Sequence, residues 1–294
     1  MEPNWRIIEQ ENRGLSIQSA CALGEGWNSR AYLVNNALVF RFPKRPDQWG
    51  ELRREIDFLD FAADLLPLSV PRYVGVNPES LAAACGYAMY RYLAGDLLDL
   101  RVMSQTERGK ASDCIATFLR ALHRLEPSPE IGDALPREDA RKVAEYYLER
   151  TEREIAPKLQ MRDAKALVAQ FEAYLSRSEN FLFRPVVLHA DLGRTHLLME
   201  DSAVVAVLDF GDINWGDPDY DFVYLFNDFG PVFVEAVALS YGHPDLESLR
   251  SKLRYYAVVD QVDTILHGGG RALDGQETEA WRRLRQFVRR KNCE

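Results

Sequence analysis

Long apolar runs are missing from this 294-residue sequence, and none approaches the roughly 18 residues that a membrane-spanning helix requires. The N-terminus also lacks the basic and apolar stretches of a secretory signal peptide. Positive charge is not in excess, since 36 Lys and Arg residues face 45 Asp and Glu residues and give a formal net charge of −9. We therefore expect a cytoplasmic protein that has neither a membrane nor a nucleic acid as its partner.

Cysteine is scarce as well, and we find no internal repeat or low-complexity tract. The four cysteines are Cys21, Cys85, Cys114 and Cys293, and their wide spacing argues against a disulfide framework and a C-x-x-C metal site. We expect free thiols in a reducing compartment. Hydrophobic content of 47% and charged content of 28% are ordinary for a globular protein, and the length allows one large domain or two lobes.

The most informative pattern in the chain is H-A-D-L-G-R-T-H at residues 189–196, followed by L-D-F-G-D at residues 208–212. Residues 186–188 form a short apolar run that is long enough for the end of a buried strand. Asp191 then lies in the polar loop just after that strand, where its carboxylate can meet a substrate.

The segment between the two halves of this pattern predicts a β-hairpin. Residues 197–199 and 204–208 are β-prone runs that flank a turn-like segment. Because a hairpin brings its two ends together, His196 at its start is expected near Asp209 at its end. The result is one carboxylate that can meet a hydroxyl group and two groups that can hold a cation.

Phosphoryl transfer requires such a set: a carboxylate that orients the attacking hydroxyl and metal ligands that neutralise the nucleotide phosphates. Protein kinases carry H-R-D-x-x-x-x-N and then D-F-G, whereas this chain carries H-x-D-x-x-x-x-H and then D-F-G. We predict that Asp191 is the catalytic carboxylate and that His196 and Asp209 are metal ligands. The alternative is a surface loop that contains acidic residues by chance.

The histidine at position 196 is chemically unusual for a magnesium site. Mg²⁺ prefers oxygen ligands, whereas imidazole suits softer transition metals. Three interpretations of His196 therefore stay open: a weak metal ligand, a hydrogen-bond donor that fixes Asp191 or a phosphate, and a histidine satisfied by a backbone carbonyl.

These motifs, together with the run G-D-P-D-Y-D-F at residues 216–222, resemble the aminoglycoside phosphotransferase family of antibiotic kinases. Most of that family carries Asn at the position of His196, and the branches with His include the 2''-aminoglycoside kinases and the macrolide kinases. The resemblance implies an α+β, bilobal protein-kinase-like fold. Residues 1–93 would form a nucleotide-binding lobe with an antiparallel sheet, and residues 94–294 a mainly helical catalytic lobe with a helical insertion at 137–178.

The same resemblance implies ATP or GTP as phosphate donor, GTP being frequent in the branches with His, and Mg²⁺ as cofactor. It also implies that the helical insertion helps to build the substrate cleft. The sequence leaves the choice between ATP and GTP open. We expect a monomer.

Two glycines, Gly24 and Gly26, bracket one residue between two strand-like runs. In a kinase-like lobe such a turn covers the nucleotide phosphates through its backbone N–H groups, and Ser29 would add a hydroxyl. A lone G-x-G is also typical of a plain hairpin turn, which is the alternative.

The next hairpin is predicted at Asn35 and Asn36, because Asn tolerates positive φ. Its second strand places Arg41 where kinases carry the Lys that binds the α- and β-phosphates. Arg is planar and always charged, so it can still bind phosphate oxygens. We assign this role to Arg41 with Lys44 as the reserve, the alternative for each being a solvated cation at a strand end.

Residues 51–66 are predicted to form a helix, because their apolar residues recur at helical spacing. Pro67 and Pro71 follow it and are expected to end it. Glu55 lies beside the apolar stripe and corresponds to the kinase Glu that pairs with the strand cation, which predicts an Arg41–Glu55 pair. An exposed helical glutamate is the alternative.

Residues 70–92 contain two further β-prone stretches, and the second leads into the predicted connection between the lobes. Its backbone is expected to face the nucleobase, with an apolar or aromatic side chain at the inner wall, although such side chains are also common in cores. The residues assigned to the nucleobase are Met89, Tyr90, Arg91, Tyr92 and Leu93.

The remaining segments are mainly helical by periodicity. Residues 5–20 are expected to lead into the first strand. Helices are predicted near residues 105–125, in two parts of the insertion, and at residues 222–241, 246–266 and 276–291, with the glycines 268–270 ending the fifth of these.

Acidic residues after the metal site are candidates for binding a cationic substrate, because an ammonium group prefers a nearby carboxylate. The predicted substrate-binding residues are Asp191, Asp217, Asp219 and Asp228. Asp221 is expected either to cap the next helix or to brace the catalytic loop. The 2''-kinases carry a denser acidic run at the position of residues 227–230, and this departure favours an apolar ligand or a non-antibiotic alcohol.

We therefore expect a kinase that transfers the γ-phosphate of a nucleoside triphosphate to a hydroxyl of a small-molecule antibiotic, with a 2''-aminoglycoside kinase as the first choice. The alternatives are a macrolide kinase or a metabolic amino-alcohol kinase, and a nucleotide-binding pseudokinase. The presence of both Asp191 and Asp209 argues against the pseudokinase.

Overall fold

The computed structural model describes residues 2–26, 28–267 and 276–290 of the chain. Cys21, Cys85 and Cys114 are free cysteines, and Cys293 and the glycines 268–270 lie outside the described residues. Within the described ranges, no helix is both long enough and apolar enough to cross a membrane.

Strands dominate the first third of the chain and helices the rest. The first elements are α1 (Trp5–Glu11), β1 (Ala20–Glu25), β2 (Ser29–Val34), β3 (Leu38–Pro43), α2 (Trp49–Ala62), β4 (Tyr73–Asn77), β5 (Tyr87–Arg91), β6 (Asp96–Leu97) and α3 (Gln105–Leu122). They are followed by α4 (Pro129–Gly132), α5 (Ala140–Arg150), α6 (Met161–Leu175), β7 (Val186–Leu188), β8 (Leu197–Glu200), β9 (Ala203–Val207), β10 (Asn214–Gly216), α7 (Val223–Phe229), α8 (Pro231–Tyr241), α9 (Leu246–His267) and α10 (Gln276–Arg290).

These elements divide into two compact units. Unit 1 comprises Met1–Leu135 and Asp191–Ile213, and unit 2 comprises Pro136–Ala190 and Asn214–Glu294. The predicted lobe boundary at residue 93, with nucleotide binding by residues 1–93, stays a prediction.

Unit 1 is built on a five-stranded antiparallel sheet with strand order β1-β2-β3-β5-β4. Phe40 and Phe42 of β3 pack into an aromatic core together with Trp5 of α1. Because side chains alternate along a strand, Arg41 points to the opposite face, and its paired neighbours there are the small residues Ala31 and Ala88. The sequence of β3 thus determines which face of the sheet carries the Arg41 side chain.

Two tight turns set the register of the hairpins. In the turn between β2 and β3, Asn35 and Asn36 have φ of 53° and 52°; between β8 and β9, Asp201 and Ser202 have φ of 48° and 61°. Paired positive φ values match the twist of antiparallel strands, and Asn and Asp tolerate them best. Both predicted hairpins are confirmed.

Helix α2 begins two residues before the predicted start and ends at Ala62, four residues before the predicted end. Gln48 precedes it and accepts hydrogen bonds from the N–H groups of Lys44 and Arg45, which fixes its entry. Beyond its end, the Arg72 guanidinium donates to the Ala63 carbonyl and so satisfies a group that further helix would have used. In a longer helix the N–H of residue 67 would donate to that carbonyl, and Pro67 has none, which agrees with the prediction that the helix ends before it.

One further prediction needs correction. Residues 222–241 do not form one helix, because Gly230 with φ of 80° separates α7 from α8 and Pro231 occupies the first position of α8. Residues 5–20 lead into β1 as predicted, and they also contain α1, which the Asn4 side chain caps by accepting from the Ile7 N–H. The helices in the insertion and over 246–266 are confirmed, and α10 covers the described part of the last predicted helix.

Candidate active site

The centre of the site in unit 1 is the ion pair between Arg41 of β3 and Glu55 of α2. Arg41 Nη1 lies 2.6 and 2.7 Å from the two Glu55 carboxylate oxygens, and the Glu55 side chain is only 1% exposed. The Tyr73 hydroxyl donates to Glu55 at 3.0 Å, and the Ser29 hydroxyl accepts from Arg41 Nε at 3.3 Å. The structure therefore brings the predicted pair together and rules out the exposed alternative for Glu55.

The second end of the Arg41 guanidinium is directed to the segment D-F-G. Arg41 Nη2 lies 3.3 Å from Asp209 Oδ1, and the Asp209 side chain is 46% exposed. Burial raises the pKa of Glu55, Arg41 opposes that rise and Asp209 adds to it. Burial acts against the charged form of Arg41 too, but Glu55 and the other acidic neighbours outweigh it and raise the Arg41 pKa. A cation is therefore fixed beside an accessible carboxylate.

The predicted reserve cation, Lys44, has another partner. Its Nζ lies 2.8 Å from Glu25, which sits between the two glycines and also pairs with Arg30 at 3.2 Å. The hydrogen bonds from Lys44 and then Arg30 lower the pKa of Glu25. This favours the interpretation of Lys44 as a strand-end cation and leaves Arg41 as the buried one.

The glycine turn joins β1 to β2. The Gly26 N–H donates to the Ser29 carbonyl at 3.0 Å, and the pairing of β1 with β2 shifts register next to Gly24. A Cβ atom on Gly24 would meet nothing within 4 Å, and every residue of β1 is exposed. The backbone here is thus accessible to a ligand, as the nucleotide prediction requires, although a plain turn would show the same feature.

The five residues assigned to the nucleobase lie at the end of β5. Burial raises the pKa of Tyr90 to about 12, and the nearby charge of Arg41 opposes that rise. The Tyr92 N–H donates to the Ala37 carbonyl at 2.8 Å, so it is already used within the sheet. Met89 and Tyr90 are half-buried, Arg91 is exposed, and Tyr92 and Leu93 are half-buried.

The catalytic loop places His196 against Asp191. Its Nδ1 lies 2.7 Å from the Asp191 backbone oxygen and 3.4 Å from the Asp191 carboxylate, while its Nε2 lies 3.9 Å from Asp209 Oδ2. A carbonyl oxygen can only accept, so Nδ1 carries the proton and, in the neutral ring, Nε2 carries the lone pair. Of the three interpretations, the hydrogen bond to a backbone carbonyl is observed, and the 3.9 Å between Nε2 and Asp209 is too long for a hydrogen bond.

This donor set supplies only some of the ligands that a magnesium ion requires. Among the described residues, no group of three or more His, Cys, Asp and Glu side chains is arranged as a metal site. Mg²⁺ in nucleotide sites commonly takes one or two protein carboxylates, and phosphates and water supply the rest. The accessible carboxylate of Asp209 meets that need, and the metal-ligand role of His196 stays a prediction.

The residues on either side of Asp209 hold it in place. Asp209 itself has φ of 58°, a conformation that costs a non-glycine residue about 1–2 kcal/mol. Phe210 is fully buried, with its ring centroid 6.1 Å from that of Phe58 on α2 and 6.4 Å from that of Phe118 on α3. A Cβ on Gly211 would lie 3.3 Å from Asp209 Oδ1. The buried Phe210 ring thus anchors the backbone next to Asp209, and the strained Asp209 presents its carboxylate.

In unit 2, Asp221 fixes the backbone that leads into the catalytic loop. Its two carboxylate oxygens accept the N–H groups of His189 at 3.0 Å and Ala190 at 2.7 Å, and its side chain is fully buried. Ala190 has φ of 64°, which this brace helps to maintain. Of the two expectations for Asp221, the loop brace is the one observed.

The predicted substrate-binding acids of unit 2 have different environments. Asp217 and Asp219 are 5% and 6% exposed, and both pair with the Lys252 ammonium, at 2.7 and 2.9 Å. Since their charge is already matched inside the protein, this burial argues against a substrate-binding role. Asp228 of α7 is exposed, and its substrate-binding role stays a prediction.

A second acidic group, Asp260 and Asp263, lies on α9 and was not predicted from the sequence. Asp260 accepts hydrogen bonds from Tyr224 and Gln261, and Asp263 accepts from Tyr147 at 2.6 Å and pairs with His267 at 2.8 Å. The Asp263 side chain is 46% exposed. The available signal was the spacing D-x-x-D, which places two carboxylates on one face of a helix.

The chain matches the model of the phosphotransferase enzyme family (APH) over residues 19–255. Among solved structures it is similar to APH(2'')-IIia in complex with GDP and kanamycin, with 27% identity, 96% of this chain and 97% of that chain covered, and a TM-score of 0.89. It is also similar to the GDP complex of wild-type aminoglycoside 2'-phosphotransferase-IIIa, with 27% identity, 98% of both chains covered and a TM-score of 0.90. A macrolide 2'-phosphotransferase type I is 19% identical over 95% of each chain and shares the fold, with a TM-score of 0.74.

These similarities confirm the resemblance stated from the sequence and the α+β, protein-kinase-like fold class. The family match covers the glycine turn, the Arg41–Glu55 pair, the catalytic loop and the D-F-G segment. The chain therefore belongs to the phosphotransferase enzyme family.

Proposed function

We propose that this protein transfers the γ-phosphoryl group of ATP or GTP to a hydroxyl of an aminoglycoside, and thereby confers resistance to that antibiotic. The observation that carries the proposal is the assembly, within one unit, of Asp191, His196 and Asp209 with the buried Arg41–Glu55 pair. This set supplies a carboxylate for the acceptor, a cation for the phosphates and a carboxylate for a metal ion.

In the proposed reaction, the acceptor oxygen forms a bond to the γ-phosphorus while the bond to the bridging oxygen of the nucleoside diphosphate breaks. Asp191 orients the acceptor hydroxyl and takes its proton, and His196 holds the loop by donating to the Asp191 carbonyl. Arg41, fixed by Glu55, binds phosphate oxygens. When bound at Asp209, Mg²⁺ would neutralise charge on the phosphates.

The acceptor class is proposed from the charge distribution of unit 2. Asp260 bonds to the Tyr224 hydroxyl and Asp263 to the Tyr147 hydroxyl, the Tyr146 ring contacts that of Tyr147, and Asp228 adds an exposed carboxylate on α7. Ammonium groups bind to carboxylates and to aromatic faces, so this surface suits a polycationic sugar. A macrolide is the second candidate, because residues 227–230 contain only one acidic residue, Asp228.

A panel assay tests the proposal. Purified protein with Mg²⁺ and either ATP or GTP is offered kanamycin, gentamicin, a macrolide or a small amino alcohol, and phosphorylated product is measured by mass spectrometry. We expect product from an aminoglycoside. Product from the macrolide alone would favour the second candidate, and bound nucleotide without any product would favour the pseudokinase.

Replacing Asp263 by Asn should raise the aminoglycoside KM by about tenfold, because one ammonium loses its carboxylate, while kcat changes little. The matched control is Asp133→Asn, which removes an exposed charge from another part of the chain. Unchanged KM in the Asp263 variant would remove this residue from the acceptor site.

The burial of Asp260 is expected to make the stability of the protein depend on pH. Burial raises the pKa of Asp260 to about 6, Tyr224 opposing and Asp263 adding to the rise. Between the ordinary value of 3.8 and about 6 the folded state keeps a proton that the unfolded state has lost, so stability falls as pH rises through this window. Asp260→Asn should therefore raise the free energy of unfolding by up to about 3 kcal/mol at pH 8 and hardly change it at pH 3.

Urea denaturation at the two pH values measures this difference, and Asp133→Asn serves again as the exposed control. A gain at pH 3 that equals the gain at pH 8 would contradict the pKa assignment.

The same Asp260 variant should bind the aminoglycoside less tightly, because the carboxylate that destabilises the free protein is the one that a cation would neutralise.

A further inference from the structure

Unit 2 contains a buried charged cluster that the proposed reaction does not use directly. Lys252 of α9 lies 2.7 Å from Asp217 Oδ2 and 2.9 Å from Asp219 Oδ2. His243 Nε2 lies 2.8 Å from Asp219 Oδ1, and the Tyr256 hydroxyl donates to Asp217 at 2.9 Å. The two carboxylates and the ammonium are each 5–6% exposed.

The ammonium is the group on which the cluster depends. Burial raises the pKa of Asp217, and the charge of Asp219 adds to it. Burial alone would raise the pKa of Asp219 too, but the hydrogen bond from His243 and the charge of Lys252 outweigh it and lower that pKa. Burial opposes the Lys252 charge, yet the two carboxylates raise its pKa. Removing the ammonium would leave two like charges buried together.

The cluster is joined to the catalytic loop through one short turn. Asp217 and Asp219 stand at the start of the 3₁₀ turn Pro218–Phe222, and Asp217 Oδ1 accepts the Asp219 N–H at 3.1 Å. Asp221, in the same turn, accepts the N–H groups of His189 and Ala190, and Ala190 directly precedes the catalytic carboxylate in the chain. Lys252 therefore anchors the start of this turn, and Asp221 near its end binds the backbone of His189 and Ala190.

We infer that Lys252 is a positioning residue for phosphoryl transfer. It fixes the turn that sets the backbone preceding Asp191, and it does so from the helix that also carries Asp260 and Asp263. The inference rests on the proposed function for its kinetic consequence, but the placement of the loop backbone is a separate, measurable property. No other helix of unit 2 contributes a cation to both Asp217 and Asp219 within the described part of the chain.

The test compares Lys252→Met, Lys252→Arg and the neutralised triple variant Lys252→Met with Asp217→Asn and Asp219→Asn. The control is Lys165→Met, which removes an exposed ammonium from α6. Each variant is measured for kcat, acceptor KM, nucleotide Kd, Tm, and amide hydrogen exchange of His189 and Ala190. The triple variant is included because the single one leaves buried charge unpaired and is prone to unfold.

We expect Lys252→Met to lower kcat by about tenfold or more while nucleotide Kd stays within about twofold, and the two amides to exchange about tenfold faster. Lys252→Arg should restore most of the parent kcat and most of the protection of the two amides. The triple variant should recover Tm without recovering kcat. Recovery of kcat in parallel with Tm, or unchanged exchange of both amides in Lys252→Met, would overturn the inference.

Failure of the proposed function is distinguishable from failure of this inference. If the parent protein transfers phosphate to no acceptor, the proposed function falls, and the exchange of the His189 and Ala190 amides still decides whether Lys252 positions the loop. If the parent is active and Lys252→Met has the same kcat and the same exchange, only the positioning role falls.

Discussion

Asp191→Asn is expected to lower kcat by about a thousandfold or more while nucleotide Kd changes by less than about twofold. The amide has the size of the carboxylate but cannot accept the acceptor's proton, and it carries no charge to orient the hydroxyl. The bond from His196 Nδ1 to the backbone carbonyl of residue 191 remains, so the loop should keep its conformation. Transfer is measured by labelled γ-phosphate, and nucleotide binding by calorimetry.

The matched control for this experiment is Asp201→Asn. Asp201 lies in the turn between β8 and β9 with φ of 48°, which Asn also adopts, so the control removes one negative charge from unit 1 without strain. It should have the parent kcat. Transfer by Asp191→Asn at the parent rate would show that another group takes the proton.

Arg41→Met is expected to lower the free energy of unfolding by about 3–5 kcal/mol at neutral pH, because it leaves the buried Glu55 carboxylate without its cation. The loss should shrink as pH falls, since Glu55 then takes up a proton and its burial costs less. Nucleotide affinity should fall as well, because a phosphate contact is removed. Urea denaturation at pH 5 and pH 8 and a nucleotide titration measure these effects.

The double variant Arg41→Met with Glu55→Gln separates stability from binding. It should recover much of the lost stability, because the uncompensated charge is gone, but it should still bind nucleotide weakly. Equal stability of Arg41→Met and the parent protein would contradict the buried ion pair. Full nucleotide affinity in the double variant would remove Arg41 from the phosphate site.

The local pattern of the sequence was sufficient to predict the part of the site that lies in unit 1. Alternation along β3 put Arg41 opposite Phe40 and Phe42, and the paired asparagines fixed the hairpin register on which that alternation depends. The hairpin after His196 brought its Nε2 within 3.9 Å of Asp209 for the same reason. Each of these features is set by residues close together in the chain.

The environment of Asp217 and Asp219 could not be predicted in this way. An acidic residue is buried only if a partner compensates its charge, and that partner, Lys252, is more than 30 positions away on another helix. Asp260 and Asp263 were missed for a related reason, because apolar periodicity identifies a helix such as α9 but says little about its polar face. By contrast, the break at Gly230 and Pro231 was visible in the sequence.

The central claim is tested most directly by a single-turnover experiment with the parent protein and Asp191→Asn. Each is loaded with γ-labelled GTP or ATP and Mg²⁺, mixed with kanamycin, and followed by label release and by phosphorus NMR of the product. We predict one phosphate ester on a kanamycin hydroxyl from the parent, and bound nucleotide without transfer in Asp191→Asn. Label released only as inorganic phosphate, or equal ester formation by both proteins, would contradict it.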